Sequence, residues 1–403
     1  IRGVDSNGMM CSERELGLGD DHDGIIELPS DAPIGASFAD YANLNDPTIE
    51  IAITPNHQDA LGVYGIARDL AAAGIGTLIK PDISKISGNF KSPITINIVD
   101  KNACPVFAGR YIRGVKNGPS PEWMQRRLIS LGMKPISALV DITNFMTHDY
   151  GRPLHVFDAD NIAGNLKVRL SKSGEKLLAL DEKEYVFDDQ VCVISDNKAI
   201  NSIGGVMGGA GSGTYDETKN VFLECAWFDP IRTAMTGRKL GIESDARYRF
   251  ERGVDPSTVL DGIEIATRLI LDMCGGQPSE VEVSGKVPVI SKTIIMRPER
   301  VKELGGINIS KAEVIDILKR LGFKVTDNDK TLEVTSPSWR CDIDREPDLV
   351  EEVLRIYGYN KIVGEPLPAS SRDIVAGLSP MQKRIRMAKR RAAVCGLREV
   401  ITW

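Results

Sequence analysis

The sequence lacks the features that mark several large protein classes. No apolar run approaches the roughly 18 residues that a transmembrane helix needs. The seven cysteines are scattered and include no CxxC pair, which argues against a zinc site or a disulfide framework and favours a reducing compartment. Neither GxxxxGK[ST] nor GxGxxG occurs, and none of the four histidines has HExxH spacing, so the common nucleotide-binding loops and a catalytic zinc are not expected.

Charge and composition are those of an ordinary globular protein. Apolar residues make up 42% and charged residues 26% of the chain, and 403 residues predict two to four domains. The formal net charge of −6 gives no overall attraction to nucleic acid, so such binding would have to use local patches. Because the chain starts at Ile1 without a Met and ends at Trp403 in an apolar run, we expect a piece of a larger polypeptide.

A glycine-rich segment followed by a buried carboxylate is the most informative stretch. Six glycines fall within residues 204–213, and Glu224 then lies inside the apolar, strand-like run 221–228. Glycines let a backbone approach a ligand closely, and a charge in an apolar strand needs a partner. One interpretation is a pocket that inspects a polar group on a small ligand. The other is a flexible loop followed by a strand whose Glu224 pairs with an internal arginine.

Local signals predict several elements along the chain. We expect a strand over 49–54, a helix from about Asp59 to Ala73, and a helix that Ser120 caps. Strands are predicted at 166–170 and 190–195, and helices at 256–273 and after Ser310. Another helix is expected from Asp348 to Gly358, then a linker over 362–378. A basic helix over 381–395 and a final strand complete the prediction.

Four carboxylates on or just before the helix predicted from Asp348 to Gly358 are candidate metal ligands. Asp348, Glu351 and Glu352 lie at i, i+3 and i+4, with Asp342 just upstream. Oxygen ligands of this kind suit magnesium, which binds through one or two carboxylates and keeps water. The residues alone favour ordinary capping and dipole compensation. The basic helix likewise allows either phosphate contact or a solvated face.

Long strings of the sequence carry a resemblance to a family. In chain order they resemble bacterial phenylalanine–tRNA ligase β subunits over nearly the whole length. The strings are VDITNFM (140–146), GRPLHVFD (151–158), GGVMGG (204–209), FLECAWFDP (222–230), ESDARYRFERGVDP (243–256) and DIDREPDLVEEVLRIYGYNKI (342–362). The chain carries His57 where the family usually has arginine.

The resemblance implies a multidomain α+β fold with a large mixed α/β editing module and a smaller α+β, winged-helix-like domain between truncated flanking domains. Its implied divisions are the end of an OB-type tRNA-binding domain (1–34), a first β-subunit domain (35–100), the editing module (101–285), a fifth domain (286–366), and a linker with the start of a catalytic-like domain (367–403).

The resemblance also implies a function and partners. Two α and two β subunits would assemble in the cytoplasm, away from membranes. The α subunit would join phenylalanine to tRNA(Phe) with ATP, and the β subunit would bind tRNA and hydrolyse tyrosine wrongly attached to it. A non-catalytic tRNA-binding and assembly scaffold is the alternative.

Site residues follow from the same resemblance, position by position. The amino-acid pocket would be lined by Gly205, Gly208, Ser244 and Ala246, with Glu224 holding the tyrosine hydroxyl. The residues near the ester and the attacking water would be Thr143, Asn144 and His155. Magnesium shared with the α subunit would be held by Asp342, Asp348, Glu351 and Glu352.

Overall fold

The structure is a computed structural model that describes residues 3, 5, 8–364 and 377–402. It divides into two compact units, Ile1–Tyr357 and Gly358–Trp403, which we describe separately. Among the described residues, no helix combines the length and apolar character needed to span a membrane. Most of the predicted linker over 362–378, and the predicted boundary between 366 and 367, lie outside the described residues.

The described residues form eleven α-helices and fourteen strands. The helices are α1 Phe38–Tyr41, α2 Val63–Ala72, α3 Glu122–Ser130, α4 Ala138–Asp149, α5 Pro230–Leu240, α6 Asp245–Phe250, α7 Thr258–Cys274, α8 Arg300–Gly305, α9 Lys311–Arg320, α10 Glu346–Tyr357 and α11 Pro380–Val394. The strands are β1 Ile96–Ile98, β2 Val106–Arg113, β3 His155–Asp158, β4 Leu166–Leu170, β5 Lys176–Leu178, β6 Glu184–Val186, β7 Cys192–Ser195, β8 Ile200–Ile203, β9 Met207–Gly208, β10 Asn220–Trp227, β11 Gln277–Gly285, β12 Thr293–Met296, β13 Lys324–Asp327 and β14 Leu332–Thr335.

A four-stranded antiparallel sheet with the order β11-β2-β10-β3 forms the centre of the first unit. Strand β10 is buried on both faces, which explains its nearly continuous apolar sequence. Val221, Leu223 and Cys225 point toward α4 and α7 and share one core with them. Phe222 and Ala226 belong to a second core on the opposite face. Glu224 therefore has its neighbours i−2 and i+2 in that second core.

The second core lies between the central sheet and a five-stranded sheet. That sheet has the order β1-β4-β7-β8-β9, and β1 pairs with β4 in parallel while the other pairs are antiparallel. Side chains from both sheets meet in this core, among them Phe157, Val168, Ile194 and Phe222. The glycine-rich segment forms β9 and the turns around it at the edge of the five-stranded sheet. This arrangement places the segment beside the core that contains Phe228.

A smaller α+β region follows within the same unit. Its three-stranded antiparallel sheet has the order β12-β14-β13, and α8, α9 and α10 pack with it and with one another. The Ser310 hydroxyl accepts a hydrogen bond from the amide of Glu313 and so caps α9 as predicted. Helix α10 buries Val350, Val353 and Leu354.

Three local predictions are wrong. Residues 49–54 form no strand, although Ile49 and Ile51 alternate with polar residues, because no neighbouring strand pairs with them. Ser120 does not cap α3: its hydroxyl donates to the buried Asp141 carboxylate at 2.6 Å, and Pro121 occupies the cap position. The described residues after α11 form no strand.

The mixed α/β character with several sheets is confirmed. The strand predicted at 166–170 is present with the same ends, and the helices near 59–73, 256–273 and 348–358 and the strand at 190–195 are present with shifted ends. The winged-helix-like and truncated domains, and the boundaries after residues 34, 100, 285 and 366, stay predictions.

Candidate functional site

A small cavity opens where the glycine-rich segment faces β10. Its volume is about 70 Å³, enough for a few water molecules. The lining residues are Pro153, Leu154, His155, Ser202, Ile203, Gly205, Val206, Met207, Gly208, Glu224, Phe228, Ala246 and Phe250. We call this space the glycine-wall pocket. It joins Gly205, Gly208, Glu224, His155 and Ala246, which the sequence analysis had selected from segments far apart in the chain.

Two polar side chains meet in the glycine-wall pocket through strand register. Glu224 on β10 lies directly opposite His155 on β3 in the antiparallel pair. Cross-strand neighbours of this kind place their side chains about 5 Å apart on the same face. Glu224 Oε2 and His155 Nε2 are both buried, and neither has a hydrogen-bond partner among the residues that the structure describes. Buried polar atoms are normally satisfied, so these two atoms indicate a place for a polar ligand group or water.

Burial sets the protonation of both side chains. It raises the pKa of Glu224 to about 8, against the opposing effect of the Arg152 charge, so the carboxyl group holds its proton at neutral pH. Burial also lowers the pKa of His155 to about 4, so the imidazole is neutral there. Glu224 can therefore donate or accept a hydrogen bond, whereas His155 offers one donor and one acceptor nitrogen. A neutral imidazole with this pKa suits positioning better than proton abstraction.

Gly205 and Gly208 have neighbouring side chains so close that a Cβ would not fit without a shift. A Cβ at Gly208 would lie 2.6 Å from His155 Cε1 and 3.0 Å from Nε2. A Cβ at Gly205 would lie 3.0 Å from the ring of Phe228, and Gly205 also has a φ of +72° that side chains rarely adopt. Any larger residue at these positions would push against the walls of the pocket. The glycine-rich segment is therefore a wall of the cavity.

Ser244 and Ala246 hold the neighbouring wall. Ala246 lines the pocket directly. The Ser244 hydroxyl accepts a hydrogen bond from the Arg247 amide at 3.1 Å, capping α6, and donates to the Val206 carbonyl at 2.6 Å. Ser244 therefore fixes the glycine-rich segment against α6 from outside the lining. Its predicted contact with a ligand stays a prediction.

The structure does not bring Thr143 and Asn144 into the lining of the glycine-wall pocket. Both lie on α4 and are half-buried. The Thr143 hydroxyl donates to the Val140 carbonyl at 2.7 Å, a bond within its own helix. Their predicted role near an ester and its attacking water stays untested.

Sequence reasoning missed the aromatic end of the pocket. Phe228 and Phe250 line it and meet edge to face, with ring centroids 5.3 Å apart. A signal for Phe228 was available, since it continues the i, i+2 alternation that starts at Glu224. Phe250 lies on α6, and no local pattern connects it with the strand.

The four carboxylates predicted to bind magnesium differ in their hydrogen-bond partners and in their burial. Asp342 pairs with Arg340 through two hydrogen bonds of 2.9 and 2.8 Å. Glu352 is buried and bonds to Arg340, and to Arg355 at 2.8 Å. Asp348 accepts the amides of residues 344 and 345 at 2.9 and 2.8 Å, as a cap does, and Glu351 is exposed.

These carboxylates do not fit a magnesium ion in this arrangement. Asp342 and Glu352 are already neutralised by arginines, and a cation would have to displace those partners. Within the part of the chain that the structure describes, no group of three or more histidine, cysteine or acidic side chains could hold a metal. A magnesium site completed by another subunit stays a prediction.

His57 belongs to this ionic cluster. Its Nε2 lies 3.2 Å from Glu352 Oε1, and its Nδ1 lies 3.5 Å from Asp59 Oδ1. Asp59 and Glu352 together raise the pKa of His57 to about 9, so the ring is charged at neutral pH. The charged ring of His57 therefore contacts α10 through Glu352. Sequence reasoning noted the substitution without finding this partner.

Comparisons with known proteins agree with the resemblance. The family model described as "B3/4 domain" matches residues 103–275, and "tRNA synthetase B5 domain" matches residues 294–359. The whole chain is 54% identical to "Phenylalanine--tRNA ligase beta subunit" of Mesorhizobium japonicum and 50% identical to that of Bradyrhizobium diazoefficiens. It is 52% identical to that of Ruegeria pomeroyi, of which it covers 51%.

The chain spans about half the length of these curated relatives, 50% of the first two. One solved structure, an N-terminal fragment of the phenylalanyl-tRNA synthetase beta-subunit from Pyrococcus horikoshii, is 16% identical with a TM-score of 0.39. It covers 76% of this chain and 86% of its own. That likeness is too low to carry an argument about this chain.

Proposed function

Since the chain is a member of the phenylalanine–tRNA ligase β subunit family over the half of its relatives' length that it spans, we propose that it edits Tyr-tRNA(Phe) by hydrolysis in the glycine-wall pocket. The observation that carries this proposal is the pair of buried atoms without a hydrogen-bond partner among the described residues, Glu224 Oε2 and His155 Nε2, in a cavity that Phe228 and Phe250 also line. Such a cavity favours an aromatic side chain with one polar group over the same side chain without it.

Physical limits on specificity explain why a ligase needs such a pocket. A hydrophobic site that accepts phenylalanine rejects a side chain with one added hydroxyl by only about 100-fold. A second site that hydrolyses the hydroxylated product raises fidelity. Glu224 supplies the partner that a phenol requires, and phenylalanine would leave its carboxyl group unsatisfied. An unmade hydrogen bond of this kind costs about 1–3 kcal/mol.

The remaining residues have supporting roles in the proposal. Gly205 and Gly208 leave room for the ring, and Phe228 and Phe250 supply apolar contact for it. His155, neutral and next to Glu224 in the sheet, orients the ester or a water molecule through Nε2. The empty cavity of about 70 Å³ must widen to admit a tyrosyl group, and the edge strand β9 is the wall with least support in its sheet.

Partners and cofactors follow from family membership. The family implies an α subunit and tRNA as partners, and ATP and magnesium in the assembled ligase. We propose that aminoacylation takes place on the α subunit in an assembly of two α and two β subunits. The cytoplasm is the proposed location. Magnesium, if shared between subunits, would require Asp342 and Glu352 to exchange their arginine partners on assembly.

The test is hydrolysis of two aminoacylated tRNAs by the assembled ligase. In the variant Glu224→Ala, we expect the preference for Tyr-tRNA(Phe) over Phe-tRNA(Phe) to fall by roughly tenfold to a hundredfold, the value of a hydrogen bond with a strong partner. Glu217→Ala, which removes an exposed glutamate nearby, is the matched control and should behave as wild type.

The outcomes separate the two candidate functions. Unchanged preference in Glu224→Ala would show that Glu224 is a structural side chain and that the reaction takes place elsewhere. No hydrolysis by the wild-type assembly, together with normal tRNA binding, would favour the scaffold function instead.

A further inference from the structure

A second and larger cavity lies in the same unit and shares no lining residue with the glycine-wall pocket. Its volume is about 410 Å³, within the range of small-molecule sites. Five parts of the chain enclose it: residues 58–59, α2 and the segment after it, the end of α4 with residues 150–152, residues 253–255 with the start of α7, and Trp339. We propose that this cavity binds a small organic ammonium ion with an aromatic or apolar body.

Apolar and aromatic surfaces form most of the walls. Tyr64 and Tyr150 lie side by side with ring centroids 6.0 Å apart. Met146 is fully buried behind them, and Ile265 from α7 contributes a half-buried aliphatic wall. Such walls suit a ligand body of the size of one ring, because burying apolar area stabilises a complex by about 25 cal/mol per Å². Tyrosine faces also attract cations, and Arg68 already lies 5.7 Å from the centroid of the Tyr64 ring.

The cations that line the cavity have partners or lie in water. Arg68 donates to the Asp59 carbonyl at 3.1 Å and lies over the Trp339 ring at 4.4 Å. Arg152 is buried and donates to the Asp255 carbonyl at 3.2 Å. Lys80 is exposed at the rim. None of these three side chains reaches the carboxylate of Asp261 with an ion pair in the part of the chain that the structure describes.

Asp255 and Asp261 form no ion pair among the described residues, although the Arg68 charge acts on Asp255 at longer range. Asp255 accepts hydrogen bonds from the Ser257 amide at 2.9 Å and from the Ser338 hydroxyl at 3.2 Å, neither of them charged. Asp261 is half-buried on the first turn of α7, and only burial and the like charges of Asp255 and Glu264 act on it, which raises its pKa. A positive group on a ligand would relieve this repulsion.

These observations together select the ligand. A neutral aromatic molecule would fill the walls without pairing with Asp255 and Asp261, and an anion would be repelled by these two carboxylates, although Arg68, Lys80 and Arg152 line other parts of the cavity. An ammonium group between Asp255 and Asp261 would form charge-assisted hydrogen bonds while its apolar body contacts Tyr64 and Tyr150. The ligand class therefore follows from Asp255 and Asp261, the two lining carboxylates without an ion pair among the described residues, whereas Asp59 is paired with Arg68. This inference is independent of the hydrolysis proposed for the glycine-wall pocket.

The experiment measures binding to the whole 403-residue chain by isothermal calorimetry. Three probes share a phenethyl body and carry a cationic, a neutral or an anionic group: phenethylammonium, 2-phenylethanol and 3-phenylpropanoate. We expect phenethylammonium to bind at least tenfold more tightly than the alcohol, and the carboxylate to bind most weakly. Asp261→Asn should reduce phenethylammonium affinity about tenfold, whereas Asp272→Asn, an exposed aspartate on the same helix, should leave it unchanged.

A second variant, Ile265→Trp, tests the proposal if Asp261→Asn does not fold. Ile265→Trp should fill the cavity and abolish binding of all probes while leaving Asp261 in place. Equal affinity for the alcohol and the ammonium ion would overturn the proposal, as would tighter binding of the carboxylate or no binding of phenethylammonium to the wild-type chain. Unchanged affinity in Asp261→Asn or in Ile265→Trp would place the probe elsewhere and overturn it too.

Discussion

The protonation of Glu224 provides a test of the pocket that needs no substrate. Burial raises its pKa from an ordinary value of 4.5 to about 8 in the folded chain. Between these two pH values the unfolded chain releases a proton that the folded chain keeps. The wild-type protein should therefore lose stability as the pH rises from 4.5 to 8, and this loss should level off above 8. Glu224→Gln keeps the shape of the side chain and cannot titrate, so it should not show this loss.

The size of the effect follows from the two pKa values. Each pKa unit corresponds to about 1.36 kcal/mol, so the full difference is on the order of 5 kcal/mol. The Arg152 charge favours the ionised carboxylate, and its effect is already contained in the pKa of about 8, so the loss of stability is smaller than burial alone would cause. We expect Glu224→Gln to match wild type near pH 4.5 and to be more stable by several kcal/mol near pH 9.

Two measurements check this prediction. Urea unfolding of both proteins between pH 4.5 and 9 gives the difference in midpoint, and the exposed Glu217→Gln serves as the control. Infrared difference spectra of wild type against Glu224→Gln report the protonated carboxyl directly, and its band should disappear near pH 8. Parallel stability profiles for the two proteins, or a carboxylate band already at pH 6, would refute the assigned burial of Glu224.

Two further predictions concern other parts of the unit. Gly208→Trp should stop hydrolysis of Tyr-tRNA(Phe), because even a Cβ there would lie 2.6 Å from His155, and normal turnover with a native circular dichroism spectrum would contradict it. His57, with a pKa raised from 6.5 to about 9, should contribute about 3 kcal/mol of stability that is fully present below pH 6.5 and lost as the pH rises through 9. Urea midpoints of His57→Gln should therefore converge with wild type at pH 10, with exposed His22→Gln as control, and a constant gap would exclude the ion pair with Glu352.

Local sequence determined much of the secondary structure and the family. The runs at 166–170 and 190–195, the cap at Ser310 and the glycine stop at Gly358 depend on residues a few positions apart, so they can be read directly. The strand predicted at 49–54 shows the limit of that reading. The isoleucines of this segment alternate as in a strand, but a strand also needs a neighbouring strand to pair with, and local sequence does not show whether one is present.

The features of the glycine-wall pocket also divide into those that the sequence indicated and those that only the tertiary structure revealed. The sequence supplied Glu224 in an apolar run and glycines that allow close approach, and it left open whether an internal arginine satisfies the carboxyl group. Only the tertiary structure decided that Oε2 has no partner among the described residues, and that the register of β3 and β10 places His155 opposite Glu224. Phe250 enters the pocket from a helix whose sequence gives no indication of that neighbour.

Tertiary structure also decided the state of the acidic positions. Helical spacing correctly put Asp348, Glu351 and Glu352 near one turn. It could not show that Arg340 and Arg355 already neutralise Glu352, or that His57 approaches from more than 290 positions earlier in the chain. Spacing fixes which side of a helix a residue occupies, whereas the charge that reaches that side depends on how distant segments pack. The sequence by itself therefore determined the elements and the family, and packing determined which charges are paired and which remain available.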